Sequence, residues 1–182
     1  MFKKNKFNCQ GFTVLELVIV AAIMVFLLSL VIIDFHEAEY HTTLDSEAEK
    51  IVSVIRQAQI WALTGQTFAG QRYFYGVNFE VCTSNNCNYY LFRDSESTGN
   101  KIYDVGEVVD AGSYKMPVGL YIESVAPASG NKLNVVFSAP LGQIYFNNSE
   151  ANETATIVLK SSKFSGQKTI QINRFSGQIN IQ

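Results

Sequence analysis

The sequence predicts an α+β fold, in which a long N-terminal helix is packed on an antiparallel β domain. The first half of the helix is predicted to be transmembrane and the second half amphipathic. Residues 17–33 form a nearly uncharged apolar run, and no proline interrupts residues 12–64. After Gly65, apolar and polar residues alternate in short runs separated by Gly, Asn and Ser, which is the pattern of antiparallel strands.

The first half of the predicted helix is the segment expected to cross a membrane. At about 1.5 Å rise per residue, residues 12–33 match the ~30 Å hydrocarbon core of a bilayer. The segment contains one carboxylate, Glu16, whose burial near the bilayer centre would cost roughly 2.5–3.5 kcal/mol. A cut between Gly11 and Phe12 would create an α-amino group one helical turn from Glu16. The two charges could then neutralise each other, within one chain or between neighbours.

Two simpler interpretations compete for this segment. A secretory signal also has a basic start and an apolar core, but it needs a small-residue cleavage site after that core. Here the core continues to Asp34 without such a site, and Gly11 precedes it. A plain membrane anchor is the second interpretation, and it leaves Glu16 unexplained.

The Gly-Phe-Thr-x-x-Glu motif that begins at Gly11 resembles the prepilin signature of type IV pilins and type II secretion pseudopilins. In that family a membrane peptidase cuts after the glycine and methylates the new N-terminal residue, and the glutamate helps to register the subunit in a helical filament. The resemblance implies that Gly11 ends a basic leader, that Phe12 becomes the N-methylated first residue, and that Glu16 is the assembly carboxylate.

Three later segments are similar to the GspH/FimT-type minor pilins and pseudopilins. They are residues 53–63 of the helix and two strand–glycine–strand turns at residues 137–144 and 172–179. The resemblance implies a β domain of pilin type and a structural rather than enzymatic role in a type II secretion pseudopilus or a type IV pilus. The implied partners are prepilin peptidase, other pilins or pseudopilins, an inner-membrane assembly platform and, before assembly, membrane lipid. The alternative function is that of a tip or adhesive subunit that contacts DNA or another extracellular ligand.

This interpretation divides the chain into four parts. Residues 1–11 are the leader, 12–34 the transmembrane or filament-core helix, 35–64 the amphipathic helix and 65–182 a periplasmic β domain. The lysines that precede the apolar segment place the N-terminus in the cytoplasm by the positive-inside rule. The expected location is therefore the bacterial inner membrane, crossed once, and afterwards the pilus or pseudopilus.

The second half of the predicted helix has one apolar face. Its apolar residues recur at spacings of three and four, which predicts one buried helical stripe. The members of the stripe are Leu44, Ala48, Ile51, Val52, Ile55, Ala58 and Ala62. The charged residues are expected largely on the other faces, and they are Asp45, Glu47, Glu49, Lys50 and Arg56.

Two cysteines bracket a turn-forming segment between two strand-like runs. Cys82 and Cys87 lie five positions apart, and Cys9 falls in the leader. An oxidising compartment favours a disulfide between them, which would clamp a hairpin. Half of a metal site is the alternative, but no second Cys or His pair completes it.

The loop that begins at Asp94 starts like a calcium-binding loop. Oxygen-bearing side chains alternate from Asp94 through Glu96, and the sixth position is glycine, but the closing position is Val105 instead of glutamate. Asp104 and Glu107 are candidate ligands in a non-standard geometry. The missing ligand favours a solvated polar loop over a calcium site, so no cofactor is expected.

Charge and motifs restrict the remaining function classes. The formal net charge is −2, and removal of the leader would leave 11 Lys and Arg against 16 Asp and Glu, a charge of −5. This charge disfavours nucleic acid binding, for which Arg174 and Lys168 are the candidate residues. The sequence contains no nucleophile–base motif, phosphate-binding loop or H-E-x-x-H motif, so an enzyme is not predicted.

Overall fold

One helix and ten strands make up the described part of the chain. The computed structural model describes residues 13–83, 87–95, 99–138 and 141–182; for residues 30–38 and Ser95 it describes the backbone only. Helix α1 is Val14–Leu63. The strands are β1 (Thr67–Phe68), β2 (Gln71–Glu80), β3 (Asn88–Ser95), β4 (Val108–Lys115), β5 (Leu120–Ala126), β6 (Lys132–Phe137), β7 (Ile144–Phe146), β8 (Thr154–Ser161), β9 (Gln167–Asn173) and β10 (Ile179–Ile181).

The strands form two antiparallel sheets. The larger sheet has the order β4-β3-β2-β6-β7, with β1 paired to β2, and the smaller sheet has the order β10-β9-β8-β5. Strands β2 and β3 form the hairpin that the sequence predicted around the two cysteines, with Tyr75 opposite Arg93 and Phe79 opposite Tyr89. Burial alternates along β8, as expected for a strand with one covered face, whereas residues 74–79 of β2 are all buried, so both faces of that strand are covered.

The main hydrophobic core joins the helix to the two sheets, and a second, smaller cluster contains Phe74, Phe92 and Val136. The helix contributes its predicted stripe, of which Ile51, Ile55 and Ala58 are completely buried. Buried side chains from both sheets join this main core. Small two-stranded pieces are marginal alone, so the burial of this helical face against both sheets stabilises residues 40–182, which form one compact unit. The described residues 13–39 belong to a separate unit.

The helix ends where a glycine allows the chain to turn. Gly65 has a φ of +60°, a left-handed conformation that favours glycine. The N–H of Gln66 donates to the carbonyl of Trp61, and the N–H of Gly65 donates to that of Ala62, each at 3.0 Å. These two bonds form a Schellman motif, which satisfies carbonyl groups that the last turn would otherwise leave without a donor.

The two predicted strand–glycine–strand turns lie against the end of this helix. Gly142 and Gly177 both have a left-handed φ, of +65° and +66°. A Cβ atom at Gly142 would lie 2.6 Å from Leu63 Cδ2, and one at Gly177 would lie 2.8 Å from Gln59 Nε2. Glycine is therefore needed at both turns for conformation and for close approach to the helix.

The prediction of a transmembrane first half is wrong. Among the described residues, no helix combines the length and the hydropathy needed to cross a membrane. The helix itself runs from Val14 to Leu63, and the side chains described in its first half are apolar from Leu17 to Leu28. The predicted single-pass inner-membrane location with a periplasmic domain is corrected with it.

These observations also correct the predicted fold class. The described chain is mainly an antiparallel β structure of two sheets, and its ten strands contain more residues than its helix. It is not a transmembrane helix that carries a β domain. Strands of two to ten residues give a weaker sequence signal than a long apolar run, so the helix was easier to predict than the share of the chain that lies in strands.

Candidate functional site

The predicted assembly carboxylate, Glu16, lies in the first turn of helix α1. Its Oε2 atom accepts hydrogen bonds from the backbone N–H of Thr13 at 3.0 Å and from the hydroxyl of Thr13 at 3.1 Å. In return, the N–H of Glu16 donates to Thr13 Oγ1 at 3.3 Å. This reciprocal arrangement is a capping box, which satisfies amide groups that the start of a helix leaves unpaired.

The capping box was readable in the sequence but was not predicted. Thr13 and Glu16 have the Ser/Thr-x-x-Glu spacing that begins many helices, directly before an apolar run. Glu16 therefore has a local structural role in addition to the predicted one in assembly. The predicted processing residues, Gly11 and Phe12, lie outside the described residues, as does the leader of residues 1–11.

The helical turns after Glu16 carry apolar side chains that nothing in the described chain covers. From Val14 to Leu28, every large apolar side chain is between 48% and 81% exposed. The exposure is not confined to one face, since consecutive residues such as Leu17, Val18 and Ile19 all share it. A helix that is apolar all round is normally buried in a core, in a membrane or among other helices.

The predicted disulfide is present. Cys82 and Cys87 are joined with a Cα–Cα distance of 5.8 Å. The N–H of Cys82 donates to the carbonyl of Ile122 at 3.0 Å, and the carbonyl of Cys87 accepts from the N–H of Met116 at 2.9 Å. The bridge therefore clamps the end of the β2–β3 hairpin at the point where it contacts strand β5 and the segment after β4.

Three of the carboxylates considered as calcium ligands, those of Asp94, Asp104 and Glu107, accept hydrogen bonds from N–H groups of the same loop. Asp94 is buried, and its Oδ2 atom accepts the N–H of Lys101 at 2.6 Å. The amide of Asn100 donates to Asp104 Oδ2 at 3.0 Å, and the N–H of Asp104 donates to Glu107 Oε2 at 2.8 Å. These hydrogen bonds hold the loop closed through its own groups.

The pKa of the Glu107 carboxyl group in this loop is raised. Burial raises the pKa of Glu107, and the nearby charges of Asp94 and Asp104 add to the increase against the hydrogen bond from the Asp104 backbone. Across the described residues, no three His, Cys, Asp or Glu side chains are arranged to hold a metal ion. The fourth predicted ligand, Glu96, lies outside the described residues.

The two cations predicted for nucleic acid binding both have acidic partners. Arg174 Nη1 lies 3.4 Å from Glu150 Oε2, its side chain is only 18% exposed, and its guanidinium centre lies 4.5 Å from the centre of the Phe175 ring. Lys168 Nζ lies 3.0 Å from Asp45 Oδ1 on the helix. Each of these cations already forms an ion pair within the chain. A phosphate group would have to compete with the carboxylate of Asp45 or Glu150 for it.

The expectation that Glu47 lies on a polar face is wrong. Glu47 is 4% exposed, and its Oε1 atom accepts the hydroxyl of Tyr89 at 3.1 Å. The Nζ atom of Lys50, one turn later, lies 3.4 Å from Glu47 Oε2. The residue is three positions from Leu44 and four from Ile51, so it belongs to the apolar stripe by spacing. Its charge suggested the opposite face, and its partner Tyr89 is 42 positions away in the sequence.

Because Glu47 is buried, its protonation state affects the stability of the fold. Loss of hydration raises its pKa above the ordinary 4.5, against the opposing effects of the Lys50 charge and of the hydrogen bonds from Tyr89 and Lys50. The folded chain therefore holds this proton more tightly than the unfolded chain. The resulting stability is fully present below about pH 4.5 and is lost as the pH rises through the raised pKa.

Replacement of Glu47 by glutamine is expected to remove this loss of stability. The free energy of unfolding of wild type should fall from pH 4.5 upwards more steeply than that of Glu47→Gln, because the amide still accepts the Tyr89 hydroxyl and carries no charge. Glu47→Ala should instead cost about 1–3 kcal/mol or more at every pH, since it leaves a buried hydroxyl without an acceptor. Urea unfolding at a series of pH values measures both differences. Parallel pH curves for wild type and Glu47→Gln would contradict the assignment.

Comparison with known proteins found no match to this chain. No family model matches the chain, and neither a curated protein nor a solved structure is similar to it.

Proposed function

We propose that this chain is a minor structural subunit of a pilin-like filament, either a type II secretion pseudopilus or a type IV pilus. In this proposal a prepilin peptidase cleaves after Gly11 and methylates the new terminus at Phe12. The single observation that carries the proposal is the exposure of the apolar side chains from Val14 to Leu28 on all faces of the helix.

In this proposal the cover for such a helix comes from neighbouring subunits. Burial of apolar surface is favourable by roughly 25 cal/mol per Å², so a dozen exposed apolar side chains provide a strong drive for association. Parallel helices of neighbouring subunits offer the same kind of surface. A bundle of such helices in the filament core would bury this surface without requiring a complementary groove on the β domain.

Glu16 supports the proposal because its capping role leaves room for a second partner. The Thr13 bonds use Oε2, and within the described residues no hydrogen bond is made by Oε1. A cationic terminus of a neighbouring subunit could therefore pair with Oε1 while the cap stays intact. When the helix is surrounded by other helices, such a partner would offset the cost of a buried carboxylate.

The β domain is suited to a structural role. It is tied together by the disulfide, by a large hydrophobic core and by a chain of buried and half-buried amides. In that chain Asn78 donates to Asn134 Oδ1 at 2.9 Å, and Asn134 donates to Asn147 Oδ1 at 3.1 Å. A satisfied polar network of this kind makes a rigid domain. Its partners in this proposal are the peptidase, neighbouring pilin-like subunits and an assembly platform.

The test is a filament preparation from the native host, with and without its prepilin peptidase. An antibody against the β domain should detect the chain in the sheared filament fraction of the parent strain. In the strain without peptidase the chain should be made in equal amount but should be missing from that fraction. A chain that never sediments with filaments, or that does so equally without peptidase, would overturn the proposal. An unrelated secreted protein serves as the control for carry-over.

A further inference from the structure

A small cavity in the β domain contains an arginine that forms no ion pair with any of the described residues. The cavity has a volume of ≈ 180 Å³ and lies where the end of helix α1 meets strands β1, β2, β3 and β4. Three aromatic residues, Trp61, Phe68 and Tyr75, form much of its wall, and Arg93 and Asp110 supply the charged groups. It does not overlap the Glu16 region or the polar loop at Asp94.

Aromatic stacking holds Arg93 in a defined orientation. The centre of its guanidinium group lies 3.5 Å from the centre of the Phe68 ring and 5.8 Å from that of Tyr73. Arg93 sits opposite Tyr75 in the β2–β3 hairpin, so its backbone position is set by the sheet. Stacking on a ring occupies the flat face of the guanidinium group and leaves its N–H edges free to donate.

No carboxylate in the described chain neutralises this arginine. Ion pairs there join acids to Lys50, Lys132, Lys160, Lys168 and Arg174. Arg93 takes part in none of them, although Asp110 lines the same cavity. An oriented, unpaired guanidinium group next to apolar walls is the arrangement that binds a carboxylate through two parallel hydrogen bonds.

The other groups of the cavity restrict the ligand further. The carboxylate of Asp110 would repel a dianion such as phosphate, but it can accept hydrogen bonds from hydroxyl or amino groups. The rings of Trp61 and Tyr75 meet edge to face at 5.5 Å and give one side of the cavity an apolar wall. Aromatic walls with a few convergent polar groups are typical of small-ligand sites.

We propose that this cavity binds a monoanionic carboxylate that carries hydroxyl or amino donors beside the acid group. Arg93 holds the carboxylate, Asp110 accepts the neighbouring donors, and the carbon skeleton packs on Trp61. A sugar acid and an acidic amino acid or peptide end share this chemistry. The inference is independent of the filament proposal and would stand if that proposal failed.

Trp61 makes the test simple because it is the only tryptophan in the chain. The full chain, kept dispersed in a non-ionic detergent, is titrated with glucuronate, glutamate, acetate, glucose and inorganic phosphate while Trp61 fluorescence is followed. We expect saturable changes with glucuronate, glutamate or both, and none with glucose at equal concentration. The stronger of the two identifies the source of the carboxylate. Acetate should bind more weakly because it lacks the donors.

Variants assign the response to the cavity. Arg93→Gln should weaken binding by about tenfold or more, and Arg93→Lys should also weaken it, because lysine keeps the charge without the planar fork. Arg72→Gln, a matched change on the neighbouring strand outside the cavity, should leave affinity within about twofold. Asp110→Asn should reduce the preference for glucuronate over acetate.

Three results would overturn the proposal. They are no fluorescence change with any carboxylate up to roughly tens of millimolar, tighter binding of phosphate than of carboxylates, and equal weakening by Arg93→Gln and Arg72→Gln. Circular dichroism of each variant shows whether the β domain is still folded. If Arg93→Gln is unfolded, Arg93→Lys carries the same comparison.

Discussion

Replacement of Glu16 by alanine is expected to reduce the amount of this chain in filaments by roughly tenfold or more, while its β domain stays folded. The reason is that a filament core would surround this position with apolar helices. Loss of one partner of a buried ion pair costs about 3–5 kcal/mol, because the other charge is left without compensation. Immunoblots of the sheared filament fraction, normalised to total chain, measure the effect.

Two further variants separate assembly from helix capping. Glu16→Gln keeps a side chain that can accept the Thr13 N–H in a capping box, but it has no charge to offer a neighbouring terminus. Thr13→Ala keeps the charge and removes the reciprocal bond to the Glu16 N–H. If charge pairing drives assembly, Glu16→Gln should fail as Glu16→Ala does, whereas Thr13→Ala should lose only part of the signal. Normal incorporation of Glu16→Gln would restrict Glu16 to its role in the helix cap.

The largest loss of stability is expected from truncation of the helical stripe. Ile55 has no exposed surface and lies in the core between the helix and the sheets. Ile55→Ala should lower the free energy of unfolding by about 2–5 kcal/mol, because it removes buried carbon and leaves a cavity that the surrounding side chains fill only in part.

The same helix provides a matched control. Ile60 is 56% exposed, so Ile60→Ala should change the free energy of unfolding by no more than about 0.5 kcal/mol. Both changes are isoleucine to alanine inside α1, so the change in helix propensity cancels and the difference reports burial. Urea unfolding followed by near-ultraviolet circular dichroism provides the comparison. Equal effects at the two positions would contradict the described packing of the helix.

Features that depend on short-range spacing could be predicted from the sequence. The cysteine pair needed only a turn of four residues between two strand-like runs. The buried helical stripe needed only a spacing of three and four. The capping box at Thr13 and Glu16 had an equally local pattern, and it went unrecognised because Glu16 had been assigned to assembly. In each case the residues that form the feature are spaced three to five positions apart in the sequence.

Features that depend on distant residues could not be predicted. Burial of Glu47 is possible because Tyr89, on another strand, donates to it. The cavity at Arg93 combines a helix end, a two-residue strand and three longer strands, and none of those segments carries a recognisable motif. Arg174 and Lys168 looked available in the sequence, but carboxylates that are distant along the chain pair with both.

The hydrogen bonds that close the loop at Asp94 depend on backbone donors, which the pattern of side chains does not show. Alternating oxygen side chains near Asp94 suggested cation ligands, but the turn that they form presents its own N–H groups to Asp94 and Glu107. Asn, Asp and Glu side chains in tight loops commonly accept such bonds. A metal loop and a self-closed polar loop therefore start from very similar sequences.

The most direct test of the filament account is the intact mass of the chain in the sheared filament fraction. The account predicts a polypeptide that begins at Phe12 and carries one methyl group on its terminal nitrogen. It also predicts that the peptidase-deficient strain holds only the longer form, outside filaments. A filament-bound chain that still contains residues 1–11 would contradict the account, because no free amine would then stand beside Glu16.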